Sequence, residues 1–281
     1  NVKWALSADM YVVLNTHHDE YWQDIITAVC NFKTNATIED RLAKTWTQIA
    51  NHFQNYNDHL IFETMNEIHD ASWGWKGGYN YQPVYKMMNE WNKVCVDAIR
   101  ATGGKNVTRW VGIPGFCANT SFTVGKVTIP NDDSRIMVAV HCYDPFNFCT
   151  EGTVQRWGHV FRGTDREEKQ IRDLFDKLYK EYVAKGIPCY MGEYGVVTRK
   201  SSADEKYREY YLEYFTRCAY LHSIPAMLWD NNSNNPDGEM FYYFDHNDGT
   251  CHFPSLVETM VKAATSSDAN YTLQSIYDNA K

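Results

Sequence analysis

Six short apolar runs, separated by amphipathic stretches, constrain the fold of this chain more than any other feature of its sequence. Each run is nearly continuous in apolar character and does not alternate with polar residues. Continuous runs of this kind are typical of strands that are covered on both faces in a parallel sheet. The predicted strands are residues 11–18, 60–67, 108–115, 136–143, 188–195 and 225–232.

The stretches between these runs repeat apolar residues at the 3.6-residue spacing of a helix. In residues 37–56, for example, Leu42, Trp46, Ile49 and Phe53 are predicted to share one buried face. The other predicted helices are residues 83–104, 165–186, 204–223 and 254–264. Alternation of strand and helix predicts repeated βαβ units and therefore an α/β fold. Because no linker or low-complexity tract interrupts the pattern, we expect residues 1–281 to form a single domain.

Composition excludes several classes of protein. The net charge of −8 argues against nucleic acid as a partner, and no apolar run is long enough to span a membrane. The eight cysteines form no CxxC or CxxH pattern, which argues against a structural zinc site. Cys142 and Cys149 are close enough in sequence to bridge within one loop, but sequence alone leaves that pairing open.

Polar and aromatic side chains end the predicted strands, and two of them are carboxylates. Burying a carboxylate in an apolar run costs several kcal/mol of folding free energy, so such a residue is expected to have a charged or hydrogen-bonding partner or a functional role. The carboxyl ends of parallel barrel strands meet at one rim, and enzymes with a β/α barrel have their active sites at this rim. Two carboxylates with His, Tyr and Asn nearby fit glycoside hydrolysis, whereas capped and solvated strand ends are the structural alternative. The residues are His17, His18, Asn66, Glu67, His141, Tyr143, Glu193 and Trp229.

Five segments around these residues resemble glycoside hydrolase family 5, the cellulase-type (β/α)8 TIM barrels. They are similar to the family motifs of strands 3, 4, 6, 7 and 8, and the His-His pair and Trp-Asp-Asn ending look most like subfamily 4 endoglucanases. The resemblance implies a secreted endoglucanase without a cofactor, whose partner is a β-glucan polysaccharide. The segments are VVLNTHHDEYW, IFETMNEI, VHCYDPFNF, YMGEYGV and MLWDNN.

Carried over residue by residue, the resemblance implies a retaining mechanism. Glu67 would be the general acid/base and Glu193 the nucleophile. The other implied roles concern binding: Asn66 at the sugar 2-hydroxyl, His17 and His18 at other hydroxyls, His141 beside the acid/base, Tyr143 beside the nucleophile, and Trp229 as the floor of the site.

Loop residues offer further candidates outside the motifs. Trp22, Trp73 and Trp75 follow strand ends and are predicted sugar platforms, with packing under a lid as the alternative. We interpret Glu63 as a structural hydrogen-bond acceptor and not as a third catalytic acid.

The sequence departs from the family pattern in three places. Ile68 stands where many members have proline, and Asn232 stands where glycine is usual. The chain also begins at what resembles the helix before strand 3, so that only strands 3–8 are evident. We therefore expect the first two βα units to come from a longer parent, a second chain or a swapped copy. Six strands cannot close an eight-stranded barrel, so we expect the lone chain to be poorly stable and weakly active.

The predicted function is retaining endo-hydrolysis of a β-1,4-linked glucan, either cellulose-type or mixed-linkage. A xyloglucanase, mannanase or xylanase of the same family remains an alternative, because loops that the sequence does not specify determine the subsites. An impaired barrel fragment that binds glycans without cleaving them is an alternative of a different class.

Overall fold

The computed structural model describes residues 1–17, 24–235 and 238–280. The predicted site residues His18 and Trp22 lie outside this described part of the chain. The chain divides into two compact units, the first comprising Asn1–Val140 with Gly186–Pro188 and the second His141–Lys185 with Cys189–Lys281. Among the described residues, every helix is too short or too polar to cross a membrane.

The first unit contains three parallel-paired strands and most of a fourth. The strands are β1 (Val12–Asn15), β2 (Leu60–Glu63), β3 (Val111–Asn119) and β4 (Ile136–Cys142). Strand β1 lies parallel to β2 with Val12 opposite Leu60, and β2 lies parallel to β3 with Phe62 opposite Val111. Strand β4 is next to β3 in the strand order, and the Val111 N–H donates to the carbonyl of Arg135, the residue before β4 (3.0 Å).

The two longest helices of the first unit bury apolar residues along one face. The unit contains α1 (Val2–Ser7), α2 (Ile25–Cys30), α3 (Phe32–His52), α4 (Gln82–Ala101) and α5 (Thr120–Thr123), with 3-10 turns at Gly104–Val107 and Pro130–Asp132. Helix α3 begins five residues before the predicted start because the Asn31 side chain caps the Thr34 N–H. Leu42 and Trp46 are buried as predicted, but Ile49 and Phe53 are only half-buried.

The second unit contains the remaining strands, β5 (Cys189–Tyr194) and β6 (Ala226–Leu228). They pair in parallel, with Met191 opposite Ala226. Strand β6 is shorter than predicted because the chain leaves the ladder after Leu228, and the Asn231 N–H instead donates to Phe241 (3.0 Å). The helices are α6 (Phe146–Cys149), α7 (His159–Arg162), α8 (Arg166–Glu181), α9 (Glu205–Leu221), α10 (Pro254–Thr265) and α11 (Leu273–Asn279), with a 3-10 turn at Val183–Lys185.

All eight cysteines lie in the described part of the chain, and all are free. Cys142 and Cys149 are therefore both thiols, which resolves the pairing that the sequence left open. Six cysteines are buried, Cys251 is half-buried and Cys30 is exposed. Burial raises the pKa of the Cys149, Cys189 and Cys218 thiols to about 12.

Candidate active site

In the first unit, the segment after β2 carries one of the predicted carboxylates. The strand ends at Glu63, four residues earlier than predicted, and Thr64, the next residue, bonds to two helices. Its hydroxyl donates to Asn92 Oδ1 (2.6 Å), and its carbonyl accepts from the indole N–H of Trp46 (2.8 Å). These buried hydrogen bonds fix the backbone that leads to Glu67.

Asn15, at the end of β1, bonds to two side chains of that segment. Its Nδ2 donates to Glu63 Oε1 (3.0 Å) and lies 3.4 Å from Asn66 Oδ1. Glu63 is buried, so the prediction that it is a structural hydrogen-bond acceptor is confirmed. Asn66 is buried beside the half-buried Glu67, and His17 is half-buried just beyond β1. Asn15 was not predicted as a site residue, although an amide inside an apolar run is a visible signal.

The loop beyond Glu67 is organised around the carboxylate of Asp70. Its Oδ1 accepts from the backbone N–H groups of Ser72 (3.1 Å) and Gly74 (2.8 Å). Its Oδ2 accepts from the hydroxyls of Ser72 (2.8 Å) and Tyr81 (2.8 Å). Burial disfavours the charged carboxylate, but these hydrogen bonds outweigh it and lower the pKa of Asp70. The loop is therefore anchored by one ionised side chain.

This loop presents both predicted tryptophan platforms. Trp73 and Trp75 are exposed by 44% and 69%. The Trp73 indole stacks on the imidazole of His69, with ring centroids 3.7 Å apart and an interplanar angle of 11°. Trp75 contacts Phe122 at a centroid distance of 5.1 Å. The exposure of both rings favours the platform interpretation over packing under a lid.

In the second unit, Glu193 lies near the end of β5 beside Tyr143, its predicted neighbour, and beside His141, which was predicted to lie next to the acid/base. The Tyr143 hydroxyl donates to Glu193 Oε2 (2.9 Å), and His141 Nδ1 lies 3.5 Å from the same oxygen. A phenol donor on a carboxylate is a charge-assisted hydrogen bond, and the Glu193 side chain is only 13% exposed. A Cβ at Gly192 would lie 3.0 Å from His141 Nε2, so the glycine before Glu193 makes room for this imidazole.

The segment after β6 carries Trp229, which is half-buried and whose N–H donates to Tyr194 (2.8 Å). The Asp230 carboxylate accepts from the backbone N–H groups of Asn232 (2.8 Å) and Phe244 (2.7 Å). Asn232 has a φ of 56°, in the left-handed region that glycine and asparagine tolerate best. The departure from the family pattern at this position therefore suits the backbone conformation observed there.

The chain is similar in sequence and fold to known glycoside hydrolases. The model of the cellulase family, glycosyl hydrolase family 5, matches residues 1–235. The chain belongs to glycosyl hydrolase family 5. Endoglucanase B of Clostridium cellulovorans is 32% identical over 99% of this chain and 62% of that protein. The chain spans between 31% and 70% of the length of the curated relatives it matches.

Solved structures of family 5 enzymes share the fold of this chain. A Bacteroidetes-affiliated GH5 cellulase linked with a polysaccharide utilization locus superposes with a TM-score of 0.93 at 36% identity, over 99% of this chain and 76% of that one. A GH5-4 broad specificity endoglucanase from Bacteroides salanitronis gives a TM-score of 0.85 at 36% identity, over 94% and 74%. A GH5 lichenase from Caldicellulosiruptor sp. F32, solved as a mutant with cellotetraose, gives 0.83 at 31% identity, over 94% and 72%.

These similarities confirm two predictions. The fold class is that of the (β/α)8 barrel family, of which the described residues of this family 5 chain carry six strands. The subfamily 4-like character is also confirmed by the GH5-4 neighbour.

Proposed function

We propose that this chain is the catalytic part of a retaining endo-β-1,4-glucanase that cleaves cellulose-type or mixed-linkage β-glucan. The observation that carries the proposal is the environment of Glu193, whose carboxylate accepts a hydrogen bond from Tyr143 (2.9 Å) beside His141. A carboxylate held in this way within the family's Gly-Glu motif suits a nucleophile, because the hydrogen bond from Tyr143 fixes the orientation of its attacking oxygens.

The reaction would proceed by double displacement. Glu193 attacks the anomeric carbon while the bond to the glycosidic oxygen breaks, and Glu67 gives its proton to that oxygen, so the departing sugar leaves as a neutral alcohol. Glu67 then takes a proton from water, whose oxygen attacks the same carbon and releases Glu193. Retention requires the two carboxyl groups to be about 5–5.5 Å apart in the working enzyme.

Rescue by azide tests the two roles separately, with 2,4-dinitrophenyl β-cellobioside as the substrate. In Glu193→Ala, azide takes the place of the nucleophile, so turnover should be lost, restored by azide, and yield the α-glycosyl azide. In Glu67→Ala, azide intercepts the glycosyl-enzyme and should yield the β-glycosyl azide. Glu181→Gln on the surface of α8 serves as the control. Unchanged turnover in Glu193→Ala, or exchanged product anomers, would contradict the assignment.

The substrate preference rests on the relatives. The neighbours include a lichenase solved with cellotetraose and a broad specificity endoglucanase. We therefore propose unbranched or mixed-linkage β-glucan, with xyloglucan next. Reducing-sugar release from barley β-glucan, carboxymethyl cellulose, xyloglucan, glucomannan and xylan ranks these substrates. Binding to a glucan without release of sugar would favour the glycan-binding alternative.

We also propose that the enzyme acts outside the cell, because a glucan polymer is too large to enter. Activity in the culture medium of the source, measured against a cytosolic marker, tests this location.

A further inference from the structure

The aromatic stack of His69 on Trp73 has no part in the two-carboxylate mechanism, yet its two rings are in close, nearly parallel contact. His69 is only 5% exposed, whereas Trp73 is 44% exposed, and the two rings are nearly parallel at 3.7 Å. One face of the indole is therefore covered by the imidazole, and its exposed area lies on the rest of the ring. A flat aromatic face that is open to solvent and supported from behind suits the apolar face of a pyranose.

A single carbonyl group ties the two stacked residues together. The carbonyl oxygen of Asp70 accepts from His69 Nδ1 (2.7 Å) and from the backbone N–H of Trp73 (3.0 Å). Because a carbonyl only accepts, Nδ1 must carry the proton. Burial lowers the pKa of His69, so the imidazole is neutral near neutral pH and presents this one N–H. The tautomer and the ring plane of His69 are therefore both fixed.

The backbone at Trp73 is strained, and its surroundings hold the strain in place. Trp73 has a φ of 51°, which is rare for a bulky residue, and Gly74 follows at 80°. The Asp70 carboxylate holds both neighbours of Trp73 through the N–H groups of Ser72 and Gly74. Backbone strain of this kind persists only where surrounding contacts hold the residue in place, and it is commonly found at ligand-binding positions.

The stack belongs to the same segment after β2 as Glu67. His69 follows Glu67 by two residues, and Ile68 between them is buried, with its carbonyl accepting from the backbone N–H of Cys117 (2.9 Å). Glu67 is proposed to protonate the oxygen that departs with the leaving sugar. A platform beside Glu67 would therefore meet that sugar and not the one that becomes attached to Glu193.

We propose that Trp73 is the platform for the sugar on the leaving-group side, and that His69 is the positioning residue that orients its indole. This proposal rests on the proposed role of Glu67. It assigns to His69 a role in productive binding of oligosaccharides, not a role in the chemical steps. His69 and Trp73 should therefore affect only substrates that place a sugar beyond the bond that is cleaved.

Two substrates separate the proposal from a general loss of activity. Cellotetraose places sugars on both sides of the cleaved bond, whereas 2,4-dinitrophenyl β-cellobioside has only a phenolate on the leaving-group side. In Trp73→Ala and His69→Ala, kcat/KM for cellotetraose should fall about tenfold, the loss expected for one stacked ring pair. The value for the dinitrophenyl glycoside should stay within about twofold. Trp4→Ala, which removes an exposed tryptophan of α1, is the matched control and should change neither value.

His69→Phe distinguishes positioning from simple filling of space. It keeps a flat ring under Trp73 but loses the bond to Asp70, so its loss on cellotetraose should lie between those of the wild type and His69→Ala. Equal losses on both substrates, or unchanged cellotetraose turnover in His69→Ala, would overturn the proposal. A wild-type protein inactive on both substrates would instead overturn the proposed function on which it rests. Thermal melting of each variant shows whether it is folded.

Discussion

Replacing Asp70 with asparagine tests whether one carboxylate organises the loop after β2. The substitution keeps the size of the side chain but removes its charge and one of its two acceptor atoms. The Ser72 and Gly74 N–H groups cannot turn away, so the remaining oxygen should stay with them. The Ser72 and Tyr81 hydroxyls, which now donate to Oδ2, would have to accept from the new amide.

The size of the effect follows from these four bonds. A hydrogen bond to a charged group contributes about 1.5–3 kcal/mol and a neutral one about 1 kcal/mol, so each bond should lose about 0.5–2 kcal/mol and the four together about 2–8 kcal/mol of unfolding free energy. For a chain of this size, the lower end of that range corresponds to a fall in Tm of roughly 4–8 °C. Asp40→Asn is the control, because Asp40 forms an exposed pair with Lys44 on α3 and should change stability by less than about 0.5 kcal/mol.

The pH dependence of this difference gives a sharper test. The pKa of Asp70 is lower in the folded state than its ordinary value of 3.8. Its stabilisation is therefore fully present above that value and is lost as the pH falls through the folded pKa. Urea unfolding of the wild type and Asp70→Asn at several pH values should show a constant difference in unfolding free energy near neutral pH, and this difference should narrow below pH 3.8. A difference under about 0.5 kcal/mol at neutral pH, or one that does not narrow in acid, would refute the reasoning.

Substitutions at three further positions have expected outcomes. Gly74→Ala should lower the unfolding free energy by about 2 kcal/mol in urea, because Gly74 has a positive φ and a Cβ there would lie 2.4 Å from Phe122 Cε2. A melting curve unchanged by the substitution would contradict this. Tyr143→Phe removes the donor to Glu193 and should lower kcat/KM for the dinitrophenyl glycoside by about 10- to 100-fold with little change in Tm; full activity would argue against the assigned role. Asn232→Ala should destabilise by about 1 kcal/mol and Asn232→Gly by less, and the reverse order in calorimetry would disprove a backbone cause.

The strands were largely predictable from the sequence because their apolar character reports burial on both faces. Strand β4 was predicted as 136–143 and is observed as Ile136–Cys142. The ends were less predictable because apolar character reports burial and not where backbone pairing stops. Strand β2 ends four residues early, where Thr64 bonds to Asn92. Strand β3 runs past the predicted end to Asn119.

The candidate site was predictable only where residues are close in sequence or lie on neighbouring strands. His141 and Tyr143 are two residues apart in the sequence, and both lie beside Glu193. The stack of His69 on Trp73 depends on positive φ angles and on bonds to Asp70, and no periodic pattern reports these features. The predicted roles of Glu67 and Glu193 stay predictions until the azide products are known.

The cysteines differ in burial, so thiol labelling can report local unfolding of the chain. Cys30 alone among the cysteines is exposed, so a maleimide dye at pH 7 should couple first at this one position on α2. The six buried thiols should react only when the surrounding structure separates. Mass spectrometry of timed labelling would thus rank which parts of each unit open first, without any engineered probe.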